Sequence, residues 1–186
     1  MNSSLKQTYC LFCRAGQENK VMQKLKRDGF EVLSPQVMRW RPDGNCLRKT
    51  AARLMPGYVF FEAEAKPCWP DILSYPGVLR ALGYADGERA LRGSDLDFVA
   101  WLKRYDGMIE ISQVVQIGTK IEFVSGPLKD MAGKVMKVNK NRKQVQVAIQ
   151  SDAIHGEETL MRTIWCSIEY IETNADAERL RQESRE

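Results

Sequence analysis

Apolar positions in the first hundred residues fall into short blocks that alternate between strand and helix periods. Tyr9-Cys10-Leu11-Phe12-Cys13 is an apolar run rich in aromatics, followed at once by Ala15-Gly16-Gln17, so it reads as a buried strand ending in a turn. Glu18 to Asp28 sets Val21, Met22 and Leu25 on one helical face with lysines opposite, and Gly29 stands where a left-handed C-terminal cap belongs. Phe30 to Leu33 predicts a second strand, stopped by Pro35. From Val37 the chain is basic and broken by the turn tetrad Pro42-Asp43-Gly44-Asn45, which predicts an exposed hairpin. Its returning arm leads into Tyr58-Val59-Phe60-Phe61, apolar and β-prone enough for a central strand. Trp69 to Tyr75 reads as a short helix ended by Pro76-Gly77, and Val78 to Leu82 as a further strand. Ser94 and Asp97 have capping-box spacing. Phe98, Trp101, Leu102 and Tyr105 then fall at i, i+3, i+4 and i+7, a helix stripe that should pack on the sheet.

Beyond residue 117 the period changes to two. Ile121 and Phe123, then Val135 with Val138 slipping register, then Val145, Val147 and Ile149 predict three strands, broken by Gly126-Pro127 and by Asn139 to Lys143. Leu160 to Trp165 and Ile168 to Ile171 supply two more, the count of a small five-stranded barrel. The expected fold class is therefore α+β. An N-terminal antiparallel sheet flanked by helices spans residues 1–107, and a linker 108–117 leads to a five-stranded SH3-like β-barrel over 118–173 and a charged tail over 174–186.

Composition narrows the picture. Lysine and arginine (28) exceed aspartate and glutamate (24) for a net charge of +4, too mild to define a partner, so the distribution matters more. Between Lys120 and Lys143, seven cations meet only Glu122 and Asp130. No apolar run approaches the length of a membrane span and the start lacks a signal-peptide core, so a cytoplasmic protein is expected. Five scattered cysteines read as reduced thiols. Cys10 and Cys13 have CxxC spacing, but residues three apart in a strand face opposite sides, and the single histidine, His155, is distant, so no metal is expected. With no activated nucleophile, carboxylate pair or phosphate-cradling glycine loop recognisable, the chain reads as a non-enzyme that needs no cofactor.

Three stretches resemble the NusG family of transcription elongation factors: Gly16-Gln17-Glu18-Asn19-Lys20-Val21 after an aromatic strand; Met55-Pro56-Gly57-Tyr58-Val59-Phe60 followed by Trp69 and Tyr75-Pro76-Gly77-Val78; and Ser125-Gly126-Pro127-Leu128 with Ala132-Gly133-Lys134-Val135, the pattern of a KOW motif. Their order matches the family across about residues 8 to 172. The resemblance implies an NGN domain that docks on the clamp helices of bacterial RNA polymerase and leans over the non-template DNA strand. It implies a KOW barrel that binds RNA or protein. Phe12, Pro56, Tyr58 and Phe60 would meet the polymerase, with Val59 and Phe61 facing inward. Ser74, Tyr75 and Arg80 would meet the non-template strand. Leu128, Met131 and His155-Gly156-Glu157-Glu158-Thr159 depart from the housekeeping pattern, and the barrel sequence looks most like LoaP-type antiterminators, which recognise a hairpin in nascent RNA. Lys129, Lys134, Lys137, Lys140, Arg142, Lys143 and Arg162 would then hold the RNA, in a monomer.

Each assignment competes with a plainer one. Tyr58 and Phe60 are alternatively strand core, Tyr75 alternatively packs beside Pro76, and a charge run is alternatively a solvated face. The basic hairpin with Arg39, Arg41, Arg48, Lys49 and Arg53 reaches DNA or simply blocks edge pairing. A housekeeping elongation factor and a stand-alone RNA-binding or ribosome-associated KOW protein are the competing functions. A C-terminal domain that switches fold, as in RfaH-type relatives, is disfavoured by the β alternation of Val145, Val147 and Ile149.

Overall fold

A computed structural model describes residues 6–117, 120–131, 133–151, 154–155, 158–159 and 162–171. In chain order the elements are β1 (Gln7–Cys13), α1 (Glu18–Arg27), β2 (Glu31–Leu33), β3 (Gln36–Asp43), β4 (Cys46–Arg53), β5 (Tyr58–Ala63), α2 (Trp69–Leu73), β6 (Val78–Ala81) and α3 (Gly93–Arg104). There follow β7 (Met108–Ile109), β8 (Ser112–Ile117), β9 (Lys120–Ser125), a 3-10 turn at Pro127–Lys129, β10 (Lys134–Asn139), β11 (Gln144–Ile149), β12 (Ile154–His155), β13 (Glu158–Thr159) and β14 (Arg162–Tyr170). The chain divides into two compact units, one built on residues up to 35 with 55–107 and 150–162, the other on 36–54, 108–149 and the segment from 163.

In the first unit the strands run in the order β2-β5-β1-β6. β1 pairs antiparallel with β5, with Tyr9 opposite Phe61, Leu11 opposite Val59 and Phe12 opposite Tyr58. Because side chains alternate, Tyr9, Leu11, Cys13, Val59 and Phe61 share one face. That face forms a buried core with Val21 and Leu25 of α1 and Ile72 of α2. Cys10 and Phe60 lie on the opposite face, where α3 packs on Phe60: the Phe60 ring is 6.5 Å from Phe98, which stacks on Trp101 at 5.7 Å. The aromatic stripe of α3 thus packs as its spacing predicts. Its start differs, since Arg92 holds the N-cap position and no side chain caps it, so Ser94 lies inside the first turn. Asp95 is buried and accepts hydrogen bonds from Tyr84 Oη (3.2 Å) and Ser151 Oγ (2.6 Å).

The second unit holds the predicted hairpin. β3 and β4 pair from Gln36–Arg53 to Asp43–Cys46, which leaves a two-residue turn, Gly44-Asn45, with Gly44 at φ +62°. Pro42 sits within β3 opposite Leu47 and is not a turn residue. The five-stranded sheet runs β10-β11-β14-β8-β9 and is consistent with a KOW half-barrel. It differs from expectation in which five strands form it. Residues 112–117, expected as linker, are strand β8 and pair parallel with β14, while the two C-terminal strands expected separately are the single strand β14. One break between the units falls after Gly107, while residues 36–54 of the hairpin group with the C-terminal sheet and residues 150–162 with the first unit. The register slip at Val138 is a bulge at Met136: Val135 faces Val147 and Val138 faces Val145. A second irregularity in the β8–β9 pairing accompanies full burial of Val124, whereas Ile121 and Phe123 are half-buried. The charged tail lies outside the described residues.

Candidate functional site

Two of the predicted polymerase-docking residues, Phe12 and Tyr58, meet in one row across the first sheet, joined there by Arg80. Arg80 of β6, Phe12 of β1 and Tyr58 of β5 are register partners on the face opposite the core. The Phe12 and Tyr58 rings lie 5.1 Å apart, and the Arg80 guanidinium lies 5.2 Å from the Phe12 ring. All three are half-buried, and Pro56 is exposed at the head of the turn. Phe60 is a correction. It is 2% exposed beneath Phe98, because α3 covers that part of the face, so it presents nothing to a partner.

The turn that carries Pro56 and Tyr58 is clamped from both sides. Gly57 has φ +86°, its carbonyl accepts the Cys13 amide at 2.7 Å, and its amide donates to Glu18 Oε1 at 2.9 Å. A side chain on Gly57 would meet Phe12 Cε2 at 2.9 Å. Glu18 itself is 1% exposed, so a carboxylate is buried at this junction to hold the turn. Nothing local to residue 18 marks this role, since the amide it holds lies thirty-nine residues away.

The non-template set is split. Arg80 joins the aromatic row, while Ser74 is exposed with its hydroxyl donating to the Asp71 carbonyl at 2.6 Å. Tyr75 is a second correction: it is 8% exposed within the core, its hydroxyl donates to the Asp28 carboxylate, and the Lys24 ammonium lies 5.1 Å from its ring. Burial, then that hydrogen bond, pushes its phenol up to about 12. A base has no ring face to stack on there.

In the second unit Lys129, Lys134, Lys137, Lys140 and Arg142 are exposed and Lys143 is half-buried. Lys134 and Lys137 lie on the edge strand β10, and Lys140 donates to Gln116 Oε1 at 3.0 Å. Arg162 opens β14, and its side chain lies outside the described residues. Leu128 is buried with its amide donating to Ser112 Oγ at 3.0 Å, so this departure from the housekeeping pattern sits in the core. Cys10 and Cys13 fall on opposite faces, and among the described residues no group of three or more His, Cys, Asp or Glu side chains could hold a metal. No helix among them is long and apolar enough to cross a membrane.

These features define an α+β protein with a row of two aromatics and an arginine on one sheet and a lysine-rich edge on another. Residues 6–97 match the family model described as transcription termination factor nusG. The chain is 28% identical over 173 residues to the transcription termination/antitermination protein NusG of Thermus thermophilus, covering 81% of this chain and 91% of that protein. A solved structure titled domain interaction in Thermotoga maritima NusG superposes with a TM-score of 0.47 at 23% identity, covering 87% of this chain and 93% of that one. By these comparisons residues 6–97 are similar to the NusG family, and most of the chain is similar to the NusG protein of T. thermophilus.

Proposed function

We propose that this protein is a specialised transcription antitermination factor that binds RNA polymerase through its N-terminal sheet and a nascent RNA hairpin through its KOW half-barrel. The observation that carries the polymerase side is the Arg80–Phe12–Tyr58 row with its clamped Pro56-Gly57 turn. Aromatic anchors fixed in place before binding lose little side-chain freedom on docking, and such residues carry most of the energy of an interface. An amphipathic helix tip, as the polymerase clamp offers, suits this row. Arg80, half-buried in this row, is the cation that the non-template set would offer to a DNA phosphate. Two weak contacts on one chain then reinforce each other through effective concentration.

A general elongation factor is the second reading. It is favoured by the burial of Leu128, which removes one reason for separating this chain from the termination/antitermination protein of T. thermophilus. A terminator read-through assay with purified bacterial polymerase decides between them, comparing wild type, Tyr58→Ala, and the triple variant Lys134→Glu/Lys137→Glu/Lys140→Glu on leaders with and without candidate hairpins. Read-through that needs the leader and is lost in both variants supports the specialised factor. Altered pausing on every template, indifferent to the leader, supports the general one.

A further inference from the structure

Within the second unit, the hairpin and the β10–β11 turn enclose a groove of about 420 Å³ lined by Arg39, Trp40, Arg41, Leu47, Arg142 and Lys143, among others, and by no carboxylate. We propose that this groove is a cleft for single-stranded nucleic acid, in which Trp40 stacks on a base and the four cations take the flanking phosphates. The proposal rests on the reading of this protein as an RNA binder but assigns a different surface from the β10 lysines.

Trp40 supports it first. The ammonium groups of Lys49 and Lys143 lie 5.1 and 5.8 Å from its ring, so a half-exposed aromatic face is ringed by positive charge. A cation over an exposed ring is held more weakly than a stacked base, so a base can take the place of an ammonium and leave it free for the adjoining phosphate. Trp40 Nε1 and Arg39 Nε are buried and have no hydrogen-bond partner among the described residues, two donors on neighbouring residues at the cleft. The volume is that of a small-ligand cleft, room for about a nucleotide, with the rest of a strand running over the groove.

The turn is also built to hold its charges in place. Asn139 Oδ1 accepts the Arg142 amide at 3.0 Å, and the Lys143 carbonyl accepts the Ile168 amide at 2.8 Å. Lys143 adopts φ +49°, a conformation that glycine takes more easily, yet the position carries a lysine that reaches Trp40.

The test uses the full chain with labelled short oligouridylate, oligodeoxythymidylate and an RNA hairpin, read by fluorescence anisotropy, for wild type, Trp40→Ala, Lys143→Gly and Lys134→Glu/Lys137→Glu. Lys143→Gly removes the charge while relieving the backbone, so its melting temperature should hold or rise and its binding loss cannot be unfolding. The expected result is single-strand binding weakened about tenfold or more by Trp40→Ala and Lys143→Gly, with the Lys134/Lys137 variant acting mainly on the hairpin. Preference for the ribose strand, or none, tells RNA from DNA, and either supports the cleft. Unchanged single-strand binding in Trp40→Ala and Lys143→Gly overturns it and leaves the hairpin reading standing. Hairpin binding absent while strand binding needs Trp40 removes the hairpin reading and keeps the cleft. A wild type that binds no probe removes both.

Discussion

On the proposed function, the aromatic row of the first sheet and the lysine edge of the second unit would meet their partners by opposite means. Arg80, Phe12 and Tyr58 are half-buried, in register, and locked by a buried carboxylate that holds the Gly57 amide. Lys134, Lys137 and Arg142 stand in solvent on an edge strand and its turn. On that reading the first surface is set before a partner arrives and would draw on apolar contact and shape. The second draws on charge, whose worth depends on salt.

The largest effect expected comes from breaking the preparation of the first surface. Gly57→Ala must place a methyl 2.9 Å from Phe12 Cε2 at φ +86°, and Glu18→Ala leaves the Gly57 amide without its acceptor. Each should cost roughly 1–3 kcal/mol in denaturant unfolding and weaken polymerase binding beyond what that loss explains. The next sharpens the difference in physics. RNA affinity should fall steeply between about 50 and about 200 mM salt, and each lysine of the β10 edge changed to alanine should lower the log–log slope by about one, while polymerase affinity responds much less.

A smaller effect concerns alkali. Tyr75 and Tyr84 are both pushed up to about 12, chiefly by burial. The unfolded chain releases these protons near pH 10 while the fold keeps them, so stability should be flat below about 10 and fall as pH rises toward about 12. Tyr75→Phe should reduce that fall in a pH series of thermal melts. The smallest effect is chemical: Cys46 and Cys68 are exposed, whereas Cys10, Cys13 and Cys166 are buried, with the Cys13 and Cys166 thiols raised to about 11 and about 12 by burial. A thiol reagent should label two cysteines quickly in the native protein and the other three only on unfolding.

Much of this was legible from pattern alone. The period-2 and period-3.6 blocks located β1, α1, β5 and α3, and the opposed faces of Cys10 and Cys13 followed from strand geometry. What failed depended on contacts distant in sequence. Tyr58 and Phe60 share parity, yet Phe98 of α3 packs on Phe60 from thirty-eight residues downstream while Tyr58 stays half-buried. Tyr75 reads like a surface ring beside Pro76 until Asp28 and Lys24 of the first helical segment close over it. The irregular pairing of β8 with β9 hid Val124 from a two-residue count, and the β8 pairing with β14 hid a strand inside an expected linker. Glu18 gave no signal of its role because its partner is a backbone amide thirty-nine residues away.

On the proposed function the two surfaces serve different partners. The direct measurement is binding of purified polymerase and of an RNA hairpin by the same preparations of wild type, Tyr58→Ala and Lys134→Glu/Lys137→Glu. Tyr58→Ala should lose polymerase and keep RNA, while the charge variant should do the reverse. Loss of both partners in either folded variant, or loss of neither, would contradict it.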